Sequence, residues 1–230
     1  MLDIFIEGEL IDLAIPTEDF ASGDVWYKWF NDHAITKYLE QGVYPNTRQL
    51  QIDFFKSINQ DRLALIVQNK NGKPLGIVSL SFINHMKRSC SFAIVIDSAA
   101  DLRVAGFGAL EASALIIQHG FDMLGVQRIR AGQHVDLINW QQRLELIGFR
   151  FEGYHRRNFV KGDKVGDLVE IAVLYEDYKR LKKIRRGKLW DSLKNMKKRV
   201  KNLPSRSIRI KYDEEFSNEI ESYYDQINLL

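Results

Sequence analysis

The dipeptide Asn71-Gly72 lies between two apolar runs, Leu63–Gln68 and Pro74–Ile83. Asn-Gly readily adopts the positive φ angles that a tight two-residue hairpin turn requires. Apolar runs on both sides of such a turn are typical of two adjacent antiparallel strands. The sequence therefore predicts a β-hairpin here, and this hairpin commits the chain to a fold that contains a sheet.

The segments around this hairpin alternate between strand and helix patterns. Leu2–Ile15 alternates like one or two strands, whereas Gly106–Met123 carries an apolar stripe at helical spacing. Four further strands are predicted at Cys90–Ile96, Arg128–His134, Arg150–Lys161 and Val165–Tyr175, and three further helices at Asp24–Phe30, Gln49–Ile58 and Ile138–Ile147. The order of these elements predicts a mixed sheet with helices packed against it, which is an α/β or α+β fold.

The net charge of +3 conceals three differently charged regions. Residues 1–178 carry −5, residues 179–201 carry +11 and residues 202–230 carry −3. The positive region has apolar residues at steps of three to five, which indicates a basic amphipathic helix that ends at Pro204, with a break near Gly187 as the alternative to a continuous helix. We therefore expect a globular domain over residues 1–178 and a helical extension over residues 179–230, basic first and then acidic.

Composition excludes several other classes of protein. Cys90 is the only cysteine, which excludes an intrachain disulfide framework and any multi-cysteine metal site. The sequence contains no run of 18 consecutive apolar residues, so it predicts no transmembrane helix. The first residues include acids and lack the basic region of a signal peptide, so we expect a cytoplasmic protein.

A glycine-rich segment, Arg103-Val-Ala-Gly106-Phe-Gly108-Ala109, lies between a predicted strand and a predicted helix. Glycines allow backbone N–H groups to approach a ligand closely, and the start of a helix attracts anions such as pyrophosphate. Arg103 adds a donor for phosphate. The segment lacks the motifs of P-loop and dinucleotide-binding proteins, and a glycine-rich helix start that serves packing alone is the alternative.

The same residues resemble the signature of the GNAT superfamily of acetyl-CoA-dependent N-acetyltransferases, Gln/Arg-x-x-Gly-x-Gly/Ala, which Arg103, Gly106 and Gly108 fill. Two later segments extend the resemblance. Leu144–Phe149 is similar to the family's Leu-Glu-Lys-x-Gly-Phe, and Phe151–Arg156 is similar to its x-Glu-Gly-x-x-Arg. Several short matches in the family's order identify the chain as a member.

The resemblance covers Leu10–Leu181 and implies a central mixed sheet flanked by helices, with acetyl-CoA as co-substrate and no metal. It implies that the pantetheine arm lies between strands Cys90–Ile96 and Arg128–His134, with the pyrophosphate on the N–H groups of Val104–Ala109. A backbone N–H near Ile94–Ile96 would polarise the acyl carbonyl. The predicted cofactor-binding residues are Ile94, Val95, Ile96, Arg103, Val104, Ala105, Gly106, Phe107, Gly108 and Ala109.

The sequence departs from the family at the positions that handle protons. The family's Asn, Ser and Tyr of the fourth helix correspond to Leu137, Trp140 and Leu144, and the strand-four Glu corresponds to Ser91. The usual acid and base are therefore both absent. Asn139 lies two residues out of register with the family's Asn, and it is kept as a catalytic candidate.

His134 is the other catalytic candidate, because it ends a strand near the expected thioester and an imidazole can deprotonate an ammonium near neutral pH. A histidine that merely hydrogen-bonds a loop is the alternative. Trp29, Tyr154 and Arg156 are candidates for substrate binding. A core position for the two aromatic residues and a surface salt bridge for the arginine are the alternatives.

These observations predict an enzyme that transfers an acetyl group from acetyl-CoA to a primary amine by direct attack. The chain resembles two branches of the family, the amino-sugar acetyltransferases and the ribosomal-protein N-terminal acetyltransferases. The acceptor is therefore either a nucleotide-linked amino sugar of surface-glycan biosynthesis or the N-terminus of a ribosomal protein. A non-catalytic acyl-CoA-binding module is a further alternative. Residues 179–201 would dock on the domain itself or contact an anionic membrane surface; a homodimer is a candidate assembly, and nucleic acid is the disfavoured partner.

Overall fold

The computed structural model describes residues 2–58, 61–97 and 102–228, and it describes side chains in all of these except 102–105. The strands are β1 (Ile4–Glu7), β2 (Ile11–Ala14), β3 (Leu63–Asn69), β4 (Pro74–Asn84), β5 (Ser89–Ile96), β6 (Arg128–His134), β7 (Arg150–Lys161) and β8 (Lys164–Leu174). The helices are α1 (Glu18–Ser22), α2 (Trp26–Trp29), α3 (His33–Thr36), α4 (Arg48–Ser57), α5 (Leu102–Asp122), α6 (Ile138–Glu145), α7 (Tyr175–Ile184), α8 (Leu193–Lys201) and α9 (Ile208–Asn228).

The eight strands of the described residues form one sheet in the order β1-β2-β3-β4-β5-β6-β8-β7. Neighbouring strands are antiparallel except for β5 and β6, which run parallel. Helices pack on both faces, so the predicted mixed sheet flanked by helices is confirmed.

The predicted hairpin is formed by β3 and β4, with Ile66 opposite Ile77. Gly72 has a φ of +77°, a conformation that favours glycine. The side-chain oxygen of Asn69 accepts hydrogen bonds from the N–H groups of Asn71 at 3.0 Å and Lys73 at 2.9 Å. These bonds fix the turn and hence the register of the central strands.

Alternation along the strands separates two apolar layers. On one face, Val78, Leu80 and Ile129 pack against the long helix α5. On the other face, Ile66 and Ile77 pack against the aromatic residues of α2 and α4. Each layer is buried because residues i and i+2 of a strand point to the same side.

The helix α5 begins four residues earlier than predicted, at Leu102 instead of Gly106. Glycine costs a helix only about 1 kcal/mol relative to alanine, which a long and well-packed helix tolerates. Gly106 and Gly108 therefore lie inside the helix, and the free N–H groups of its first turn belong to the residues that precede Gly106.

The basic segment forms two helices, α7 and α8, so the helix has the break that the sequence offered near Gly187. They are separated near Gly187, whose φ is +95°. The apolar residues Leu189, Trp190 and Met196 are buried in the main core. The predicted boundary after residue 178 lies within α7. In the part of the chain that the structure describes, no helix is long and apolar enough to cross a membrane.

Candidate active site

The parallel strands β5 and β6 pair over a short stretch and then separate. Their pairing runs from Ser89 opposite Arg128 to Ser91 opposite Arg130. Beyond that point, β5 continues to Ile96 against β4 only, and β6 continues to His134 against β8 only. The two strands therefore leave an opening in the middle of the sheet, where facing backbone groups can pair with an extended ligand.

Helix α5 follows the strand that lines this opening, and its N-terminal turn supplies anion-attracting N–H groups. The side chains of Arg103, Val104 and Ala105 lie outside the described residues, so their predicted contacts with a cofactor stay predictions. Gly106, Phe107, Gly108 and Ala109 are described and belong to the helix.

Arg143 of α6 is a positively charged residue beside the first part of α5, and sequence reasoning missed it. A Cβ atom on Gly106 would lie 2.7 Å from Nη1 of Arg143, so the guanidinium rests directly on the glycine backbone. The guanidinium carbon lies 5.6 Å from the ring centroid of Phe107. Within the described residues, Arg143 has no carboxylate partner. Its charge beside the start of α5 suits an anionic ligand such as a phosphate.

A cavity of about 630 Å³ lies on the face of the sheet that α2 and α4 cover. It is lined by Phe30, the segment 39–46, Leu50, Gln51, Phe54, Arg62, Ile77, Ser79, Ser81, Phe82, Ser91, Ala93, Ile94 and Val95. Ile94 and Val95 belong to the separated part of β5, so the cavity reaches the opening between the strands. This position suits the second substrate of a transfer reaction.

Arg62 is the positively charged side chain among the residues that line the cavity. Its guanidinium carbon lies 4.9 Å from the ring centroid of Phe54 and 5.9 Å from that of Phe82. The side chain is half-buried and, among the described residues, makes no ion pair with a carboxylate. An unneutralised arginine between two aromatic rings suits an anionic or aromatic ligand.

A polar network runs from the cavity across β6 to β8. Nε of Arg130 donates to Oγ of Ser91 at 3.1 Å, and Nη1 of Arg130 lies 3.7 Å from Oε1 of Glu170. Nε2 of His155 lies 4.0 Å from Oε2 of Glu170. Glu170 pairs with Gly132 in β6, and the side chain of Leu168 lies over that glycine, 2.7 Å from where its Cβ would be. Glu170 is not among the residues that line the cavity, and Arg130 and Ser91 connect it to that lining.

Burial controls the acidity of Glu170, whose side chain is 14% exposed. Burial raises the pKa of its carboxyl group, whereas the neighbouring Arg130 and His155 lower it. A partly buried carboxylate with a raised pKa is typical of a general base. Sequence reasoning missed Glu170, because it reads as an ordinary polar residue of an alternating strand.

The structure places the two catalytic candidates outside the cavity lining. His134 is 11% exposed, and its ring centroid lies 4.9 Å from that of Tyr38 and 4.6 Å from that of Phe159. Its Nδ1 accepts a hydrogen bond from the N–H of Asp136 at 3.1 Å. Asn139 is exposed in the first turn of α6. The catalytic roles of both residues stay predictions.

The three substrate-binding candidates also lie outside the cavity lining. Trp29 is buried and its Nε1 donates to Oδ2 of Asp97 at 3.1 Å. The hydroxyl of Tyr154 donates to Oδ1 of Asp213 at 2.6 Å, and burial raises its pKa. Arg156 is exposed in β7. The structure therefore does not bring these three residues together.

A family model described as an acetyltransferase (GNAT) domain matches residues 16–150. The chain belongs to the GNAT family of acetyltransferases. This assignment confirms the predicted enzyme class, an acetyl-CoA-dependent N-acyltransferase, and acetyl-CoA as its co-substrate. Comparison with curated proteins gives no match.

Solved structures share the fold. A GCN5-related N-acetyltransferase from Brucella melitensis is 25% identical, with 85% of this chain and 88% of that chain covered and a TM-score of 0.61. Spermidine N-acetyltransferase from Vibrio cholerae, solved with CoA and spermine, is 20% identical, with 74% and 98% covered and a TM-score of 0.64. The microcin C7 self-immunity acetyltransferase, solved with acetyl-CoA and AMP, is 20% identical, with 73% and 93% covered and a TM-score of 0.60.

Proposed function

We propose that this N-acetyltransferase acetylates the primary amine of a nucleotide-linked amino sugar, as used in surface-glycan biosynthesis. The observation that carries the proposal is Arg62, whose charge lies unneutralised between Phe54 and Phe82 in the cavity. A nucleotide-linked sugar supplies a phosphate for the guanidinium and a base that can stack on an aromatic ring.

The charges of the cavity argue against a polyamine. Among the described residues, its lining contains one acidic side chain, Glu40, and one basic side chain, Arg62. A polyamine carries several positive charges and needs several carboxylates for binding. The Vibrio cholerae relative was solved with spermine, whereas the microcin self-immunity enzyme was solved with AMP. The second ligand is closer in chemistry to the acceptor proposed here.

The opening between β5 and β6 is where we place acetyl-CoA, which supplies the acetyl group as a thioester. The backbone of Ile94–Ile96 would hold the acetyl carbonyl through an N–H group, and this donor would stabilise negative charge on the carbonyl oxygen. The first turn of α5, with Arg103, and the guanidinium of Arg143 would hold the phosphates. Most of the catalysis would then come from positioning.

We assign the general base to Glu170. An amine is protonated near neutral pH and must lose a proton before it becomes a nucleophile. The carboxylate of Glu170 lies across from Gly132, beside the separated part of β6, and would accept that proton directly or through a water molecule. His134 is less suited, because an Nδ1 that accepts a backbone hydrogen bond leaves the proton of the neutral ring on Nε2.

The acceptor is tested with a panel of amines and an assay of CoA release. The panel contains a UDP-linked amino sugar, the same amino sugar without UDP, spermidine and a short peptide with a free N-terminus. We expect turnover to be fastest with the UDP-linked sugar. Preference for the peptide would instead support the ribosomal-protein type of acceptor, and CoA binding without any turnover would support an acyl-CoA-binding module.

The role of Arg62 is tested with Arg62→Ala. We expect kcat/KM for the UDP-linked sugar to fall about 10-fold or more, the effect of one lost charge-assisted hydrogen bond. The value for the free sugar should change little. Arg180→Ala, on the exposed side of α7, is the matched control and should affect neither substrate. An equal loss for both sugars would contradict a phosphate contact.

The remaining partners are also proposals. An anionic membrane surface is the alternative partner for the exposed cations of residues 179–201, whose apolar residues Leu189, Trp190 and Met196 are buried in the core while Ile184 is exposed. Sedimentation with vesicles that contain anionic lipid tests this contact, and sedimentation that does not weaken with salt would contradict it. The homodimer and the cytoplasmic location likewise stay predictions.

A further inference from the structure

Helix α9 is anchored to the domain only near its beginning. Arg209 is buried, the ring of Tyr212 lies 5.2 Å from that of Phe151, and Asp213 accepts a hydrogen bond from Tyr154. From residue 214 to residue 228, every residue is exposed. The second half of this helix therefore projects without a partner in the described chain.

The projecting half is amphipathic. Phe216, Ile220, Tyr223 and Ile227 follow one another at steps of four, three and four, which places them on one side of the helix. Their exposed fractions range from 38% for Ile220 to 59% for Tyr223. Residues 216–228 contain three acidic side chains, Glu219, Glu221 and Asp225, and no basic one. An apolar stripe with this charge suits a groove that has an apolar floor and a basic rim.

Such a groove lies beside α8 and has a volume of about 580 Å³. Leu146, Leu203 and Pro204 contribute its apolar lining, Asn195 and Asn202 contribute amides, and Lys198 and Arg199 contribute cations. Arg199 is already paired with Asp191, whereas Lys198 makes no ion pair in the described residues. Further lysines on the exposed side of α8 extend the basic surface: Lys194, Lys197 and Lys201.

The projecting half of α9 cannot reach the groove of its own chain. Pro204 lines the groove and lies only four residues before the start of α9 at Ile208. Since a helix rises 1.5 Å per residue, residues 216–228 lie about 12–30 Å from that start along a straight axis. The anchor at Tyr212 and Asp213 fixes the direction of this axis. A helix that docked in this groove through residues 216–228 would therefore come from another molecule.

We propose that residues 216–228 of one copy bind the groove beside α8 of a second copy, with the two copies exchanging helices in a closed dimer. Pairing of two α9 helices with each other is disfavoured, because it would bring their acidic side chains together. Docking on α8 instead places acidic side chains beside lysines and buries the apolar stripe. A two-fold exchange makes the contact twice, which strengthens it.

Light scattering after size-exclusion chromatography of the full chain tests this proposal. We expect a dimer in about 0.1 M salt and a shift towards monomer near 1 M salt, because salt screens surface charges. The stripe variant Phe216→Ser/Ile220→Ser and the charge variant Lys197→Glu/Lys198→Glu should each be monomeric. Ser222→Ala, on the same helix, is the control and should remain dimeric.

A mixture of complementary variants provides the specific test. Glu219→Lys/Glu221→Lys should be monomeric alone and should form a dimer again when mixed with Lys197→Glu/Lys198→Glu. All of these positions are exposed, so the variants should fold, and each should keep the rate of acetyl transfer per chain that the parent protein has. A monomeric parent protein, or a dimer that none of the variants dissociates, would overturn the proposal. Loss of binding to anionic vesicles without any change of oligomeric state would assign the lysines to a membrane and would overturn it too.

Discussion

Nε1 of Trp190 donates a 2.9 Å hydrogen bond to Oε2 of Glu9, joining residues that are 181 positions apart. The same carboxylate oxygen accepts from the N–H of Leu193 at 2.7 Å. The N–H of Glu9 in turn donates to Glu111 in α5. The turn between β1 and β2 is thus hydrogen-bonded both to the start of α8 and to α5, the helix that follows the opening between β5 and β6.

Replacement of Trp190 should test how far the segment after β8 contributes to stability. Trp190 is 6% exposed and belongs to the main core, so Trp190→Ala should lower the free energy of unfolding by about 3–5 kcal/mol. Urea unfolding measures the change. Ile184→Ala is the control at an apolar residue that is 69% exposed, and it should change stability by less than about 0.5 kcal/mol. Similar small effects for both variants would show that the segment is dispensable for the core.

The ion pair of Asp191 and Arg199 should make the free energy of unfolding depend on pH in the acidic range. Oδ1 and Oδ2 of Asp191 accept hydrogen bonds from Arg199 at 2.6 and 2.7 Å, which lowers the pKa of Asp191 to about 2. The folded-state pKa is below the unfolded one, so the stabilisation is present above the unfolded value and is lost as pH falls towards 2. Asp191→Asn should cost about 2 kcal/mol at pH 7 and should flatten the loss of stability below pH 4. Unchanged unfolding curves across this range would contradict the assignment.

Much of the fold follows from local patterns in the sequence, whereas the polar groups of the site do not. Asn71-Gly72 predicts its hairpin because a turn depends on the φ angles of neighbouring residues. Glu170 becomes significant only through the register that places it opposite Gly132. Arg62 gains its role from the rings of Phe54 and Phe82, and Arg143 from contact with a different helix. Single-sequence periodicity contains no information about these contacts.

The contact between Gly106 and Arg143 predicts a coupled effect on CoA affinity. Arg143→Ala should raise the Kd for CoA about 10-fold, because one charge-assisted hydrogen bond to a phosphate is lost. Gly106→Ala should also weaken binding, since its Cβ would displace the guanidinium. In the double variant, the effect of Gly106→Ala should largely disappear. Calorimetric titration with CoA measures all four Kd values. Additive effects would contradict a shared mechanism, and Arg180→Ala should leave the Kd unchanged.

The assignment of Glu170 predicts a specific pH profile of acetyl transfer. A base must be ionised to act, and burial raises the pKa of Glu170 above that of an ordinary glutamate. The kcat/KM of the parent enzyme should therefore fall as pH decreases through this raised pKa, on the acidic side of its optimum. Glu170→Gln should lower kcat about 100-fold or more and remove this acidic limb, while the Kd for CoA stays unchanged.

The same measurement on His134→Gln distinguishes the two candidate bases. If Glu170 is the base, His134→Gln should keep the acidic limb and most of the kcat, because its Nδ1 already accepts the N–H of Asp136. If the limb instead disappears in His134→Gln and persists in Glu170→Gln, the base is His134 and the assignment to Glu170 is wrong. Glu152→Gln is the control for charge on the same face of the sheet. Its carboxylate is paired with Arg128, which lowers its pKa. Because the charge of Glu152 raises the pKa of Glu170, the limb should persist in this variant and move to lower pH.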